Sequence, residues 1–286
     1  LDLQTGESIT FGTEFAFSGT SINKVAILAR LYAQLQDPPD ARIATDIANT
    51  MICSENAATN RLLSLIGQGD EFLGADEVTR FLRQLGLDHT YILTPYTLDP
   101  NQPVVSPRPL FIPQTGVDQR KANPDQTNQL TVDDMGWLLA DIYQCAYEDA
   151  GPLIEDMSGA FNGRECRQML HVMSSNNVDA LLKAGVPEDT RVAHKHGWIF
   201  DTHGNAGVFF TPGGDYVLVM MLHQPTWLEY AQSLPVIAEV SRTVYNYYNP
   251  GAPLPAIRDG FIPDAPTCNF ANTPLVVDLR QPVWDQ

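Results

Sequence analysis

Apolar and polar positions change period along the chain. Residues 1–17 alternate like two short strands about the turn-rich trio Gln4-Thr5-Gly6. From 21 to 35 the apolar positions fall on nearly every side of a helix (Ile22, Val25, Ala26, Ile27, Leu28, Leu31, Tyr32, Leu35), the mark of a helix buried centrally. Residues 46–53 predict a second helix with Thr45 as N-cap. After a break at Ser54-Glu55-Asn56, a third runs to Ile66 and stops at Gly67. Residues 76–85 place Val78, Phe81, Leu82 and Leu85 on one face, and Thr131 opens an amphipathic helix carrying Met135, Leu138, Leu139 and Ile142. Between them, residues 94–128 have no period and are rich in Pro, Asn, Gln and Asp. Unstructured loops this long inside a domain are commonly functional.

The last third turns to strands, predicted at 191–195, 206–210 and 216–222, with Pro212-Gly213-Gly214-Asp215 a strong hairpin signal. Residues 234–248 form an amphipathic helix stopped by Asn249-Pro250, and 251–286 are Pro-rich with no clear element. Strands at both ends enclose a helical middle. The expected fold is therefore α+β: an antiparallel sheet built from both chain ends, flanked by helices, with an all-helical lobe inserted. Residues 1–249 would form this domain and 250–286 an extension.

Composition narrows the function. With 286 residues, 44% hydrophobic and 18% charged, the chain can bury a large core without staples. The net charge of −17 and pI near 4.5 repel phosphate backbones and anionic membranes, so no nucleic-acid partner is expected. No apolar run reaches the roughly 18 residues of a spanning helix. Leu1-Asp2-Leu3 already alternates like a strand, as though cut from a longer precursor. Cys53, Cys145, Cys166 and Cys268 allow three full pairings and show no metal spacing. Cys145 and Cys166 bracket a Gly-containing segment that a bridge would close for about 3 kcal/mol; free buried thiols are the alternative.

Three patterns carry candidate chemistry. In Ser21-Ile22-Asn23-Lys24 the hydroxyl and ammonium share a helix face, and a desolvated Lys can take a serine's proton. Lys24 also interrupts a helix that otherwise reads as buried, and a buried charge needs a reason. In Ser54-Glu55-Asn56, at a helix break, a second hydroxyl could relay a proton and an amide could hold a substrate carbonyl; read alone it is an ordinary N-cap. In Lys195-His196-Gly197 a cation precedes a residue without a side chain, which suits a strand lying against a substrate backbone; read alone it is an edge strand bearing a charge. His194, His196 and His203 lie close together, but no Cys or clear carboxylate accompanies them, so no metal and no cofactor is expected.

The order Ser-x-x-Lys, Ser-x-Asn, Lys-x-Gly, on helix, helix break and late strand, resembles the active-site serine penicillin-recognising enzymes, above all the class A β-lactamase-like proteins. The resemblance covers residues 1–249. It implies that Ser21 is the acylated nucleophile, Lys24 its general base, Ser54 a proton shuttle and Lys195 a cation tuning Ser54 near the substrate carboxylate. Asn56 would anchor the substrate's amide, and the backbone N–H groups of Ser21 and Trp198 would form an oxyanion hole. The implied substrate is a small β-lactam or a related amide or ester, and the implied location secreted or periplasmic.

Several positions depart from that family's pattern. Glu55 replaces an Asp, the stretch from Ser21 to Ser54 is short, and His196 replaces a Thr or Ser. At the carboxylate subsite, with Gly197 beside it, an imidazolium at His196 would make acylation weaken as pH rises through about 5 to 7. The long loop lacks the Glu-x-x-x-Asn pattern that positions a deacylating water. Tyr96 falls nearest that glutamate's place, with Asp99 the closest carboxylate, so acylation is expected to outrun deacylation. The alternatives are a D-Ala-D-Ala peptidase or esterase using the same Ser-Lys pair, and a non-catalytic sensor whose Pro-rich tail docks a partner.

Overall fold

The computed structural model describes residues 1–157, 159–260 and 268–281. Helix α1 (Lys24–Tyr32) forms the centre, with every residue but Arg30 buried, as its all-round apolar pattern requires. It starts three residues later than its apolar run, because residues 19–26 form a tighter turn. There Ile22 N, Lys24 N and Val25 N each donate to the carbonyl three residues back, at 3.1, 3.3 and 3.0 Å.

Around α1 pack α2 (Ala41–Met51), α3 (Asn56–Ile66) and α4 (Glu71–Gln84). The caps of α2 and α4 are Asp40 and Asp70, whose carboxylates accept from Ile43 N and from Phe72 N and Leu73 N. Thr45, expected as the α2 cap, sits one turn inside and donates to Ala41 O at 2.6 Å. Helix α5 (Val132–Glu148) is capped by Thr131 as expected. After the short α6 (Pro152–Glu155), helix α7 (Gly163–Ser174) opens with a capping box between Asn162 and Glu165.

Two antiparallel sheets face this helical body. Two-residue strands β1 (Phe17–Ser18) and β2 (Tyr91–Ile92) flank β3 (Asn128–Leu130), in the order β1-β3-β2. They bring both ends of the 94–128 loop beside Ser21. The larger sheet is β4 (Arg191–Trp198), β5 (Thr202–Phe210) and β6 (Tyr216–His223), in chain order. The N-terminus joins it through a bridge at Asp2↔Tyr216, with Leu1 and Val217 exchanging backbone hydrogen bonds. Sheet contributions from both chain ends are thus present, but the expected N-terminal strands shrink to that bridge and β1. Helix α8 (Tyr230–Tyr248) covers the far face with a 3₁₀ turn at Leu181–Gly185, forming a second small core with Val192, Phe209 and Tyr216.

The Pro-rich extension, expected to hold no clear element, carries a helix. Helix α9 (Pro274–Leu279), capped by Thr273, buries Val276 and Leu279 in the main core. Residues 261–267 and 282–286 of the Pro-rich extension lie outside the described residues. Disulfides join Cys145 to Cys166, as one of the two expectations had it, and Cys53 to Cys268. No helix among the described residues is long and apolar enough to cross a membrane.

Candidate active site

Ser21 sits on the turn entering α1, after Thr20, whose backbone is left-handed at φ 49°. That costly conformation is held through the Thr20 carbonyl. It accepts from the Tyr96 hydroxyl at 3.0 Å and from Asn128 Nδ2 at 3.1 Å. Asn128 Oδ1 in turn accepts from Asn23 Nδ2 at 2.8 Å, and Asn23 also donates to Gln129 O at 2.9 Å. The small sheet and the buried Asn23 therefore fix the Ser21 turn from below.

Strand β4 closes the other side. A Cβ on Gly197 would fall on the Thr20 hydroxyl and 2.7 Å from Ser21 N, so only glycine lets the strand approach this closely. Ile199 N donates to Thr202 O of β5 at 2.9 Å. By strand alternation, the Trp198 N–H faces the open edge of β4. Trp198 and Ser21 line the same cleft.

Lys24 and Lys195 are both fully buried, and both reach Ser54. Lys24 Nζ donates to Ser54 O at 2.6 Å, Asn56 Oδ1 at 2.8 Å and Ser54 Oγ at 3.2 Å. Lys195 Nζ donates to Ser54 Oγ at 3.0 Å and to His196 O at 2.8 Å. Ser54 itself is left-handed, at φ 58°, between α2 and α3, which turns its hydroxyl and carbonyl towards the two cations. Burial lowers the Lys24 pKa to about 7, partly opposed by Glu55. Burial and the nearby Lys24 charge push Lys195 well below the usual lysine range.

Asn56 Nδ2 donates to Thr97 O at 2.8 Å, so one N–H of this amide remains for a ligand. One helical turn on, Asn60 clamps the backbone of Tyr96, donating to its carbonyl and accepting from its N–H, both at 2.8 Å. The Lys24 ammonium lies 4.7 Å from the centre of the Tyr96 ring. Burial drives the Tyr96 phenol above its usual pKa. Asn60, Asn23, Asn128 and Thr20 were not singled out from the sequence. Only Asn60 left a signal there: it stands four residues after Asn56, on the same helix face.

A cleft of about 350 Å³ opens over Ser21, lined by Asn56, Tyr96, Thr97, Asp125, Asn128 and Trp198 among others. Two expected residues are differently placed. The imidazole of His196 is buried and stacked on Trp198 at 4.6 Å, with Nδ1 3.3 Å from Asn176 Nδ2. Burial, then Lys195, holds it well below the usual histidine range, which disfavours the imidazolium expected at the carboxylate subsite. Asp99 spends its carboxylate on the backbone and side-chain amides of Asn101, at 2.9 and 3.2 Å, and does not line the cleft. The remaining histidines of that group diverge, His194 to Asn205 at 3.3 Å and His203 to Ser233 at 2.7 Å. Among the described residues, no three His, Cys, Asp or Glu side chains gather as a metal site.

The profile of the "Beta-lactamase enzyme family" matches residues 38–248, most of the chain, beginning downstream of Ser21 and Lys24. The chain belongs to this family. It is a β-lactamase-like serine hydrolase. Solved structures share the fold. PBP-A, in the structure of a mutant described as an acyl-enzyme complex with penicillin G, superposes with TM-score 0.61 at 23% identity, over 87% of this chain and 88% of that one. An ancestral class A β-lactamase gives 0.62 at 21% identity, over 86% and 92%. A β-lactamase from Chitinophaga pinensis gives 0.63 at 17% identity, over 87% and 92%. No curated protein sequence matches the chain. In this β-lactamase-family member the antiparallel sheet and helical lobe meet at the cleft, as the motif order implied.

Proposed function

We propose that the protein forms a covalent acyl-enzyme at Ser21 with β-lactams or related amides and esters, and hydrolyses it slowly. The observation that carries this reading is the pair of buried lysines converging on Ser54 Oγ, 3.2 and 3.0 Å away, beside the Ser21 turn. A lysine whose pKa sits near 7 is substantially neutral at neutral pH and can accept the Ser21 proton as the hydroxyl attacks the carbonyl. The developing oxyanion would take the N–H groups of Ser21 and Trp198; loss of one such donor typically costs 10²–10³ in rate. Ser54, bonded to both cations, would pass a proton to the leaving nitrogen, and the ring opens with the acyl group on Ser21. Lys195 keeps Ser54 oriented, and the free N–H of Asn56 receives the substrate's amide carbonyl.

Deacylation needs a base for water. The residue clamped by Asn60 above Lys24 is Tyr96, a half-buried tyrosine with a raised pKa, whose proton bonds the Thr20 carbonyl. A positioned base commonly contributes 10²–10⁴-fold, and this phenol is a poor one. The disulfides favour an oxidising location, secreted or periplasmic.

Mixing the protein with a penicillin and taking intact masses over seconds to minutes should show one adduct that persists, absent in Ser21→Ala. Fast turnover with no trapped adduct would assign deacylation to another group. Neither adduct nor turnover, with ester hydrolysis retained, would move the assignment to an esterase.

A further inference from the structure

The cleft over Ser21 has an uneven charge lining. Among its described lining residues there is no Lys or Arg, because both site lysines are buried behind Ser54. The carboxylate in that lining is Asp125, which is exposed. Its position is fixed. Oδ1 accepts from Thr127 N at 2.7 Å and from Thr127 Oγ1 at 2.9 Å, while the Asp125 N–H donates to Ser18 Oγ at 2.9 Å, three residues before Ser21. No described residue donates to Oδ2. The wall it belongs to, with Thr94, Tyr96 and Thr97, is the one to which Asn56 is tied through Thr97 O.

We infer that Asp125 is a specificity-determining residue that favours substrates whose acyl side chain carries a positive charge. The inference rests on the acylation of Ser21 proposed above. An acyl amide held by the free N–H of Asn56 directs its side chain along the 94–97 and 125–128 wall. There a preset carboxylate meets a cation without reorganising, and the net charge of −17 gives the approach the same sign of preference.

Benzylpenicillin and ampicillin differ by one amine on the acyl side chain, which is protonated at about pH 6. Second-order acylation constants for the two would be measured by intact mass, in low and high salt, for the wild type and Asp125→Asn. The substitution keeps an oxygen for Thr127 and removes the charge. A preference for ampicillin of about 3- to 5-fold is expected in the wild type, the scale of one partly exposed ion pair. It should shrink in high salt and in Asp125→Asn. The same ratio of constants in both proteins would overturn the inference. Acylation by neither penicillin would overturn the acylation reading itself, and this inference with it.

Discussion

Lys24 Nζ has three oxygen acceptors and no carboxylate among them, so these hydrogen bonds and the Glu55 charge repay only part of the cost of burying its charge. That is why its pKa falls to about 7 rather than rising, as it would in a salt bridge. If the neutral amine is the base, acylation should climb about tenfold per pH unit below 7 and level off above it. A stopped-flow pH profile checks this; Lys24→Arg, permanently charged, should lose the acylation, and His196→Thr should leave the limb in place. The opposite limb, expected of an imidazolium at His196, is disfavoured by the burial of that ring against Trp198. Gly197 is the second decisive residue. Gly197→Ala puts a methyl 2.7 Å from Ser21 N, so the strand or the Ser21 turn must shift: the acylation constant should fall by about 10² or more and the thermal midpoint should fall with it. A large loss of midpoint with normal acylation would contradict that assignment. Of the site, Ser21, Lys24, Ser54 and Lys195 were legible because their short patterns follow one another in order on helix, helix break and late strand, and because Lys24 puts a charge in a buried helix. Asn23, Asn128 and Asp125 carry no such signal, and their positions depend on pairings more than 100 residues apart.

At the level of elements, local signals carried α3, α5 and the hairpin between β5 and β6, where cap, period and turn agree. Strands β2 and β3 have no such signal, being two and three residues long and defined only by pairing across the loop. Helices α7 and α9 did leave marks in the chain, a capping box at Asn162 and Glu165 and a Thr-Pro start at 273. Helix α5 also carries a cost. Asp141 lies buried on it, and desolvation together with Asp156 raises its pKa to about 7. The folded protein thus holds a proton that the unfolded chain, with a carboxyl near 3.9, has released. Stability from this group is full below about pH 4 and is lost as pH rises to 7. Asp141→Asn should therefore stabilise the protein by on the order of 2–4 kcal/mol at pH 8 and far less at pH 4 to 5. Urea midpoints at the two pH values test it, and an equal gain at both would refute the link to titration.

On the scale of the whole molecule, the two disulfides act unequally. Cys145–Cys166 closes a short loop between α5 and α7, whereas Cys53–Cys268 spans 215 residues and ties the tail to the residue before Ser54. Chain entropy assigns about 3 and about 5 kcal/mol to them. Both double serine variants should lower the denaturation midpoint, but only Cys53→Ser with Cys268→Ser should also slow acylation, because only that bond adjoins the left-handed Ser54. Comparable acylation in the two variants would sever the tail from the site. The long bridge also sets an order of events. Every motif residue of the cleft is made before Cys268, so Cys53 has no native partner until 215 further residues have been added. A chain stalled or clipped after α8 would display the serines and lysines with their anchor unmade and a lone thiol beside them. A distant cysteine thus acts as a late checkpoint on a motif made long before it.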